Sequence, residues 1–490
     1  MKFRGSITVF LALMLTCLFS GFFAFLEAAR VSGLKANAQM CTMQACDGLL
    51  ASYSRDLWEN YHLMFWEGRE GDFPQLSSAG SLQQDIIEGN WEKFGSGNRN
   101  FYVFPVHLIK VDVQGYQLAT DHGGAAFQKQ AADRMRQDIP ENAVKAILEL
   151  VTGKNEQDEE QAARQEQTAL DTLENLLESR SVSTSDQTEV SEEISSESGE
   201  KAIPENPIQW MKDVKKNGIF TFLMPQEDIS QKKIELSDSI SRRKLQKGTI
   251  SETEQTGMTE KVLFRLYLAS NFFDVTETAK EHALDYEVEY LIGGKDSDKA
   301  NLTAAVNRLL LLREASNMVY LESSTKKQQE ALTIAAAITT AVGQPELTEP
   351  VKHAILAAWA YAESLSDVRI LLDGGKVSLV KTDEQWHTQL NRLSSSVMEN
   401  GGKQQQKGLS YKGYLQILLW TVSNEKLAER AMTLIEKNTG VQMDRMVCRM
   451  NCSYEYEARV LFWSFVGLDK TSLSKYSFED EAALAYLEDQ

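Results

Sequence analysis

The sequence predicts a helix-rich α+β protein. One N-terminal transmembrane helix extends into a pilin-like stalk, and a mixed globular region with a small antiparallel sheet follows it. Three observations predict this. An uncharged run from Ile7 to Leu26 has the roughly 20 residues that a helix needs to cross a bilayer. Apolar residues at helical spacing dominate the rest of the chain. Residues 446–460 alternate apolar and polar, as in a strand with one buried face.

The N-terminal run favours a retained anchor over a cleaved signal peptide. Lys2 and Arg4 precede it, it is longer than the roughly 7–15 apolar residues of a signal, and no clean Ala-x-Ala site follows. We therefore predict a single-pass span over residues 6–27 in the cell membrane, after a cytoplasmic tail of residues 1–5. The side chains predicted to contact the lipid bilayer are Ile7, Val9, Phe10, Leu11, Leu13, Leu15, Leu18, Phe22, Phe23, Phe25 and Leu26.

The residues after the span predict a stalk helix over residues 28–66. Arg30 and Lys35 lie beyond the span, so the positive-inside rule favours an inside N-terminus only by a small margin. We place the bulk of the chain outside the cell. An apolar stripe at spacings of three and four predicts packing, either on the protein's own domain or against other stalks, as in a pilin. The stripe consists of Val31, Leu34, Ala38, Cys41, Ala45 and Leu49.

Composition excludes some classes of partner and bond. The 490-residue chain has a formal net charge of −19, so nucleic acid is not expected as a partner. Cys41 and Cys46 are five residues apart on a predicted helix, and Cys448 and Cys452 are four apart on a predicted strand. At these spacings the two cysteines of each pair point apart or lie too far from each other to form a disulfide. A disulfide between cysteines distant in sequence is the remaining alternative. No zinc-type spacing occurs, so we expect no metal and no cofactor.

Beyond the stalk, composition divides the chain into three parts. A first ordered region over residues 67–152 contains a predicted strand, Phe101–Val113, and predicted helices from Ala125 to Gln137 and from Glu141 to Val151. Residues 153–203 are rich in Glu, Gln and Ser, which predicts an acidic, disordered linker or insertion. Residues 204–490 form the main, helix-rich α+β region.

Within the main region we predict helices over residues 261–273, 299–321, 326–342 and 350–367. A strand is predicted from Asp285 to Ile292, another from Met446 to Val460, and a short helix from Phe478 to Gln490. We expect the two strands to join Phe101–Val113 in one sheet, which would make the acidic linker an insertion.

No sequence motif identifies a reaction. The six histidines are scattered, and neither the phosphate-binding nor the serine-nucleophile spacing occurs. Asp285, Glu287 and Glu289 share one face of the predicted strand, where paired carboxylates could act as acid and base or hold a cation. A solvent-facing strand edge is the favoured explanation, because half-buried strands normally alternate in this way. We therefore predict no catalytic residue and no enzyme activity.

Several stretches resemble an uncharacterised domain-of-unknown-function family of Gram-positive bacteria. The stretches are RGSITVFLALML, LEAARV, YSRDLWENYHLMF, LDYEVEYLIGGKDSDKANL, LLLREASNMVYL, ILAAWAYAESLSDVRILLDGGKVSLVKT and GLSYKGYLQILL. The resemblance implies an association with tight-adherence (Flp/Tad-type) pilus loci. The N-terminus is similar to TadE- and TadG-like pseudopilins, which implies prepilin peptidase processing between Gly5 and Ser6. Such substrates usually carry Glu at the fifth position after the cut, where this chain has Phe10.

Two functional hypotheses follow. The first is a non-enzymatic, membrane-anchored extracytoplasmic component of a Tad-like pilus or secretion apparatus, which contacts pilus or pseudopilin proteins through the stalk helix. The second is an anchored extracellular ligand-binding module, or a hydrolase with an unrecognised carboxylate site. The second predicts a pocket lined by carboxylates of perturbed pKa.

Overall fold

The computed structural model describes residues 4–95, 106–139, 207–251, 257–277, 281–399, 408–461 and 475–486. The predicted class is confirmed: the protein is helix-rich α+β, with a long N-terminal apolar helix and a four-stranded antiparallel sheet. The chain forms two compact units. The first comprises residues 1–130, 244–254 and 442–490, and the second comprises residues 131–243 and 255–441. The predicted helix Glu141–Val151 and the predicted acidic linker lie outside the described residues.

The first unit combines four helices with the sheet. Its elements are α1 (Arg4–Leu50), α2 (Arg55–Tyr61), β1 (Trp66–Glu67), α3 (Ser77–Gly95), β2 (His107–Leu118), α4 (Asp121–Asp138), β3 (Met446–Arg459) and β4 (Lys475–Ala485). Helix α4 passes into the second unit after Gln130.

The predicted stalk helix over residues 28–66 is too long. Helix α1 ends at Leu50, and a short turn separates it from α2. The hydrophobic pattern runs on through both helices, so it does not reveal the turn between them. Helix α2 ends at His62, which adopts a left-handed conformation with φ 54° and donates its backbone N–H to the carbonyls of the last turn.

Strand β3 is the centre of the sheet. It pairs antiparallel with β2 along one edge and with β1 and β4 along the other. In the middle of the sheet Tyr454 is opposite Val111 on β2 and Asp480 on β4. The predicted strand Met446–Val460 is therefore confirmed, as is its pairing with the predicted strand Phe101–Val113 through residues 107–113. The observed strand β2 continues to Leu118, and residues 101–105 lie outside the described residues.

The predicted C-terminal helix Phe478–Gln490 is wrong, because residues 475–485 form β4. Alanine and glutamate suggest a helix, yet Tyr476, Phe478, Ala482 and Leu484 also alternate with residues that are mainly polar. Pairing of the whole of β4 with residues 449–459 of β3 favours the strand, because context overrides intrinsic propensity.

Helices α1 and α3 pack on the sheet and bury its apolar side. The even-numbered residues of β3 from Met450 to Ala458 join one hydrophobic cluster with the second half of α1. The period-two pattern predicted this buried strand face. A single core thus holds the sheet and the N-terminal helix together.

The second unit is built from ten helices among the described residues. They are α5 (Pro207–Asn217), α6 (Phe220–Leu223), α7 (Met258–Asn271), α8 (Glu287–Gly293), α9 (Asp298–Ser323), α10 (Thr325–Val342), α11 (Thr348–Leu372), α12 (Leu393–Glu399), α13 (Tyr411–Leu419) and α14 (Asn424–Thr439). The four helices predicted in this part of the chain are confirmed as α7, α9, α10 and α11. The predicted main region, residues 204–490, is divided, because β3 and β4 belong to the sheet of the first unit, where β3 pairs with β2.

The predicted strand Asp285–Ile292 is wrong, because α8 occupies this stretch. Every residue from Glu287 to Ile292 is buried. A helix that is buried on all sides has no solvent-exposed face, so its sequence does not show the hydrophobic periodicity of an amphipathic helix. The alternation of polar and apolar residues from Asp285 to Ile292 therefore does not indicate a strand. Gly294 ends α8 in a left-handed conformation, with φ 64°.

Helix α11 forms the centre of the second unit. It packs against α5, α9 and α10, and nearly all of its residues from Ile355 to Leu371 are buried. Small alanines allow its neighbours to approach closely. Glu363 and Asp367, which lie within this buried part of α11, are therefore enclosed in the interior, where they need partners.

Candidate functional site

The N-terminal half of α1 is exposed and apolar. Among the described residues, α1 is the one helix long and apolar enough to cross a membrane. The predicted anchor side chains from Ile7 to Phe25 are exposed, with Phe10 at 63% and Phe25 at 74%, and Leu26 is half-buried. Gly5 and Ser6, the candidate processing residues, lie in the first turn of α1. Exposure of so much apolar surface is unfavourable in water and favourable in lipid.

A buried ion pair lies one turn beyond the apolar segment. Arg30 Nη1 is 3.1 Å from Glu27 Oε1 and donates to the backbone carbonyl of Arg459 at 2.9 Å. The backbone N–H of Leu461 donates to the same Glu27 carboxylate at 3.3 Å. Both charged side chains are about 95% buried. We call Glu27, Arg30, Arg459 and Leu461 the collar, because together they join the end of β3 to α1.

Tyr476, at the start of β4, extends the collar. Its hydroxyl is hydrogen-bonded to Glu27, and burial together with the Glu27 charge raises the pKa of Tyr476. Both strands of the C-terminal hairpin thus contact α1 where the helix leaves the apolar segment. Sequence reasoning used Arg30 only as an orientation signal. The sequence does contain a signal for this contact. Glu27 and Arg30, two oppositely charged residues three positions apart, directly follow the apolar run.

The predicted stalk stripe is buried within the first unit. Leu34, Ala38, Ala45 and Leu49 are at most 1% exposed, Cys41 is buried and Val31 is half-buried. They pack in the cluster that contains the tyrosines of β3. Two polar contacts accompany them: Thr42 bonds to the Tyr456 hydroxyl at 2.9 Å and Cys46 to the Tyr454 hydroxyl at 3.4 Å. Of the two alternatives, the stripe therefore packs on the protein's own domain.

The opposite face of α1 remains exposed beyond the apolar segment. Met40 and Met43 are 59% and 66% exposed, and Ala29, Ser32 and Ala36 lie exposed nearer to the apolar segment. We call these five residues the outer face of α1. Flexible methionine side chains next to small residues form a surface that adapts to a partner helix.

None of the five cysteines forms a disulfide. The absence of a disulfide between Cys41 and Cys46, or between Cys448 and Cys452, agrees with the sequence prediction. Burial raises the pKa of the Cys448 thiol to about 12 and that of Cys452 to about 11. Both groups are therefore inert, apolar core residues at neutral pH.

The three predicted candidate carboxylates have three different environments. Asp285 is partly exposed and pairs with Lys232 at 2.7 Å. Glu287 is fully buried and accepts hydrogen bonds from the Phe273 backbone at 3.1 Å and from Asn438 at 2.7 Å. The predicted shared strand face does not exist, because α8 turns Glu287 and Glu289 in different directions.

Glu289 is also fully buried, and Asp274 is its acidic neighbour. Glu289 Oε1 accepts hydrogen bonds from the Val275 backbone at 3.1 Å and from the Tyr411 hydroxyl at 2.9 Å. Among the described residues, Glu289 Oε2 and Asp274 Oδ2 have no hydrogen-bond partner. Burial, followed by the Asp274 charge, raises the pKa of Glu289 to about 8. Glu289 is therefore mostly protonated at neutral pH.

An open, acidic cleft of about 330 Å³ lies beside these groups in the second unit. It is lined by Glu227, Asp228, Ser230, Glu277, Asp285 and Tyr286. Burial and the Asp274 charge raise the pKa of Glu277. Burial also tends to raise the pKa of Asp285, but hydrogen bonds from Lys232 and Ser230 outweigh burial and lower the pKa of Asp285. Two carboxylates with pKa values displaced in opposite directions are the usual signature of an acid and a base.

A network of buried charged groups connects α9, α11 and the segment after α11. Glu363, Asp367 and Arg313 are fully buried, and Lys381 is 4% exposed. Lys381 Nζ contacts Glu363 Oε1 and lies 2.5 Å from Asp367 Oδ1. Arg313 is 3.0 Å from Asp367 Oδ2. We call these four residues the buried tetrad; with two anions and two cations, its net charge is zero.

The rest of the Glu363 carboxylate is fully hydrogen-bonded. It accepts from the His387 backbone at 3.0 Å and from the Thr388 backbone and hydroxyl at 2.8 and 2.7 Å. Burial alone would raise its pKa, but Lys381 and these donors outweigh burial and hold the pKa below the ordinary value. Glu363 is thus an anion in the interior of the protein.

One group of three potential metal ligands occurs among the described residues, namely Glu363, Asp367 and His387, whose donor atoms lie within 4.8 Å of one another. The ammonium of Lys381 contacts both carboxylates, so an internal cation already fills the position between them. Sequence reasoning missed this network. The signal in the sequence was the presence of two acidic residues, Glu363 and Asp367, within an otherwise alanine-rich and apolar helix.

A protein-family model matches residues 197–458, just over half of the chain. The chain belongs to DUF5702, a family of unknown function. The DUF5702 match extends from before α5 into β3, so it includes the acidic cleft and the buried tetrad and leaves out α1. No curated protein and no solved structure matches the chain.

Proposed function

We propose that this DUF5702 protein is a single-pass membrane protein with its bulk outside the cell, and that it is a non-enzymatic structural or assembly component of a Tad-like pilus or secretion apparatus. The observation that carries the proposal is the continuity of α1. One helix extends from the exposed apolar segment directly into the core of the first unit, without a flexible linker.

This architecture supports a structural role on physical grounds. The collar and the buried stripe fix the sheet to the anchor, so a force or a displacement acting on one is transmitted to the other. A ligand-binding domain on a tether would not need such a rigid connection. The N-terminal similarity to pseudopilins is consistent with the same role.

The outer face of α1 is the surface proposed to contact pilus or pseudopilin proteins. The buried stripe cannot serve, because Leu34, Ala38, Ala45 and Leu49 already pack on the sheet. Met40 and Met43 remain available on the opposite side of the helix. Helices anchored in the same bilayer meet at high local concentration, so a modest contact area is sufficient for association.

The test is site-specific photo-crosslinking in native membranes. A photoreactive residue is introduced at Met40 or Met43, and adducts are identified by mass spectrometry. We expect adducts with pilus, pseudopilin or secretion-platform proteins. The matched control is Val342 on α10, which is 69% exposed and so as accessible as Met43.

An adduct at Met40 or Met43 that is absent at Val342 supports the proposal. Recovery of the uncrosslinked monomer alone from every position on the outer face would contradict it. Crosslinking only to unrelated abundant membrane proteins, equally from α1 and α10, would also count against it.

The acidic cleft supports a second candidate function, in which the anchored protein binds a cationic ligand or hydrolyses an unidentified substrate. The carboxylates of Glu277 and Asp285 line it with pKa values displaced in opposite directions. Lys412 and Lys232 pair with these two groups at 2.7 Å each, leaving Glu227 and Asp228 to attract positive charge.

Calorimetric titration with calcium ions and with spermidine tests the binding part of this second function. A saturable heat that disappears in the Glu227→Gln, Asp228→Asn double variant supports it. No saturable heat with either probe, or a heat that persists in the double variant, would argue against a site in this cleft.

A further inference from the structure

The buried tetrad holds an amine in direct contact with a carboxyl group in the interior of the protein. Lys381 Nζ lies 2.5 Å from Asp367 Oδ1, and both side chains are fully buried. Trp386 lies beside the amine, with its ring centroid 5.8 Å from Nζ. Water is excluded from this position by the helices around α11.

The two oxygens of Asp367 have different environments. Oδ2 accepts hydrogen bonds from Arg313 Nε and Asn317 Nδ2, both at 3.0 Å. Oδ1 accepts no well-oriented hydrogen bond from any residue that the structure describes, and it faces the Lys381 amine. One oxygen is therefore stabilised where it is, and the other is placed as a leaving group.

We propose that Lys381 and Asp367 condense to form an intramolecular amide bond, with Glu363 as the catalytic acid–base group. Lys381 Nζ attacks Cγ of Asp367, forming the N–C bond. The bond between Cγ and Oδ1 breaks, and Oδ1 leaves as water. The ammonium group supplies both protons of that water, and the amide nitrogen keeps one. No oxidant, reductant or further reactant is needed.

Each neighbouring group has a defined part in this step. Glu363 Oε1 contacts the amine, so it can take a proton from nitrogen and return it to Oδ1. Arg313 and Asn317 donate to Oδ2, where negative charge develops in the tetrahedral intermediate, as in an oxyanion hole. The Asn317 amide is itself fixed, because it donates to the Ser364 hydroxyl at 3.0 Å.

The interior also makes the condensation favourable. In water, amides hydrolyse because water is abundant, whereas groups held in contact react with effective concentrations of about 10⁵ M or more. The reaction removes one buried cation and one buried anion, whose desolvation is costly. Glu363 and Arg313 remain, so the product is still electrically neutral. The amide carbonyl keeps its hydrogen bonds from Arg313 and Asn317.

Tryptic peptide mapping of the full-length protein, purified in detergent and then denatured, tests the proposal. Trypsin does not cleave after an acylated lysine. We expect a branched product that joins residues 353–369, which contain Asp367, to residues 377–392, which contain an uncleaved Lys381. Its mass is lower than the sum of the two peptides by one water molecule. Fragmentation locates the bond.

Recovery of residues 353–369, 377–381 and 382–392 as separate linear peptides would overturn the proposal. A branch point at Glu363, on the same peptide, would overturn the assignment to Asp367. Because both results come from the unaltered protein, they do not depend on whether a variant folds.

Two variants test the role of Glu363. Glu363→Gln removes the acid–base group, and we expect only linear peptides. The matched control is Glu436→Gln, which removes the buried carboxylate paired with Arg243 in the same unit; it should retain the branched product. A branched product in Glu363→Gln would contradict the role assigned to Glu363.

Discussion

Arg30 and Arg459 are 429 residues apart in sequence, and Arg30 Nη1 donates to the Arg459 carbonyl at 2.9 Å. Arg30 lies four residues beyond Leu26, or roughly 6 Å along a helix that rises 1.5 Å per residue. This hydrogen bond therefore joins the end of β3 to α1 just beyond the exposed apolar segment of the helix.

Arg30→Met should destabilise the first unit, because it leaves the Glu27 carboxylate buried without its cation. Removing one partner of a buried pair typically costs about 3–5 kcal/mol. Denaturant unfolding of the detergent-solubilised protein measures the loss. The exposed Lys35→Met is the control and should have little effect. A loss for Arg30→Met no larger than that of the control would show that the collar is not structural.

Leu34→Ala should cost about 2–5 kcal/mol, because the buried stripe fills the core between α1 and the sheet. Met43→Ala, on the outer face of the same helix, should change the free energy of unfolding by less than about 0.5 kcal/mol. The same unfolding experiment compares them. Equal effects would mean that α1 does not pack on the sheet by the face described.

The stability of the second unit should fall as the pH rises, because of Glu289. Burial and the Asp274 charge raise its folded pKa from the ordinary value of 4.5 to about 8. The folded protein therefore binds a proton that the unfolded chain releases, and this contribution is full below pH 4.5 and lost as the pH passes 8. The slope is roughly 1.4 kcal/mol per pH unit within that window.

Thermal unfolding between pH 5 and 9 measures this dependence. Glu289→Gln keeps a neutral, hydrogen-bonding side chain and should flatten the decline. The Tyr411 hydroxyl, which contacts Glu289, still has an acceptor in that variant. An equally steep decline in Glu289→Gln would assign the pH dependence to another group.

Gly294→Ala should destabilise the end of α8. An added Cβ would lie 2.5 Å from the Arg430 guanidinium, which donates to the Leu291 and Ile292 carbonyls at 2.6 and 3.0 Å. Gly343 has a similar left-handed φ of 76°, yet a Cβ there meets no described atom within 4 Å. Gly343→Ala therefore measures the conformational cost alone, about 1 kcal/mol.

The additional loss of stability in Gly294→Ala, relative to Gly343→Ala, then reports the displacement of Arg430. Thermal unfolding of the two variants gives the comparison. Identical losses would mean that Arg430 moves aside without cost and that its bonds to the last turn of α8 contribute little.

The parts of the fold that have a clear period could be predicted from the sequence. The apolar run predicted the N-terminal part of α1, because an uncharged segment of that length is typical of a membrane-spanning helix. The alternation from Met446 onward predicted β3, because one face of this strand is buried and the other is less so. Helix α8 could not be predicted in this way, since all of its sides are buried. Strand β4 was missed because its pairing with β3 overrides the helical preference of Ala and Glu.

The candidate sites were less predictable, because they depend on contacts between distant residues. Lys381 and Glu363 are 18 residues apart, and Arg313 and Asp367 are 54 apart. Nothing in the local sequence pairs them. Isolated charges within an apolar helix do signal a buried network, but they do not identify its members. The stalk stripe was visible in the sequence, whereas the surface that it covers was not.

The most direct test of the account is alkaline extraction of membranes from cells that express the full-length protein. The central claim is that α1 anchors the protein in the bilayer. We expect the protein to remain in the membrane pellet after carbonate treatment and to be released only by detergent. Recovery of the protein in the aqueous supernatant, with its first 30 residues intact by mass spectrometry, would contradict the claim.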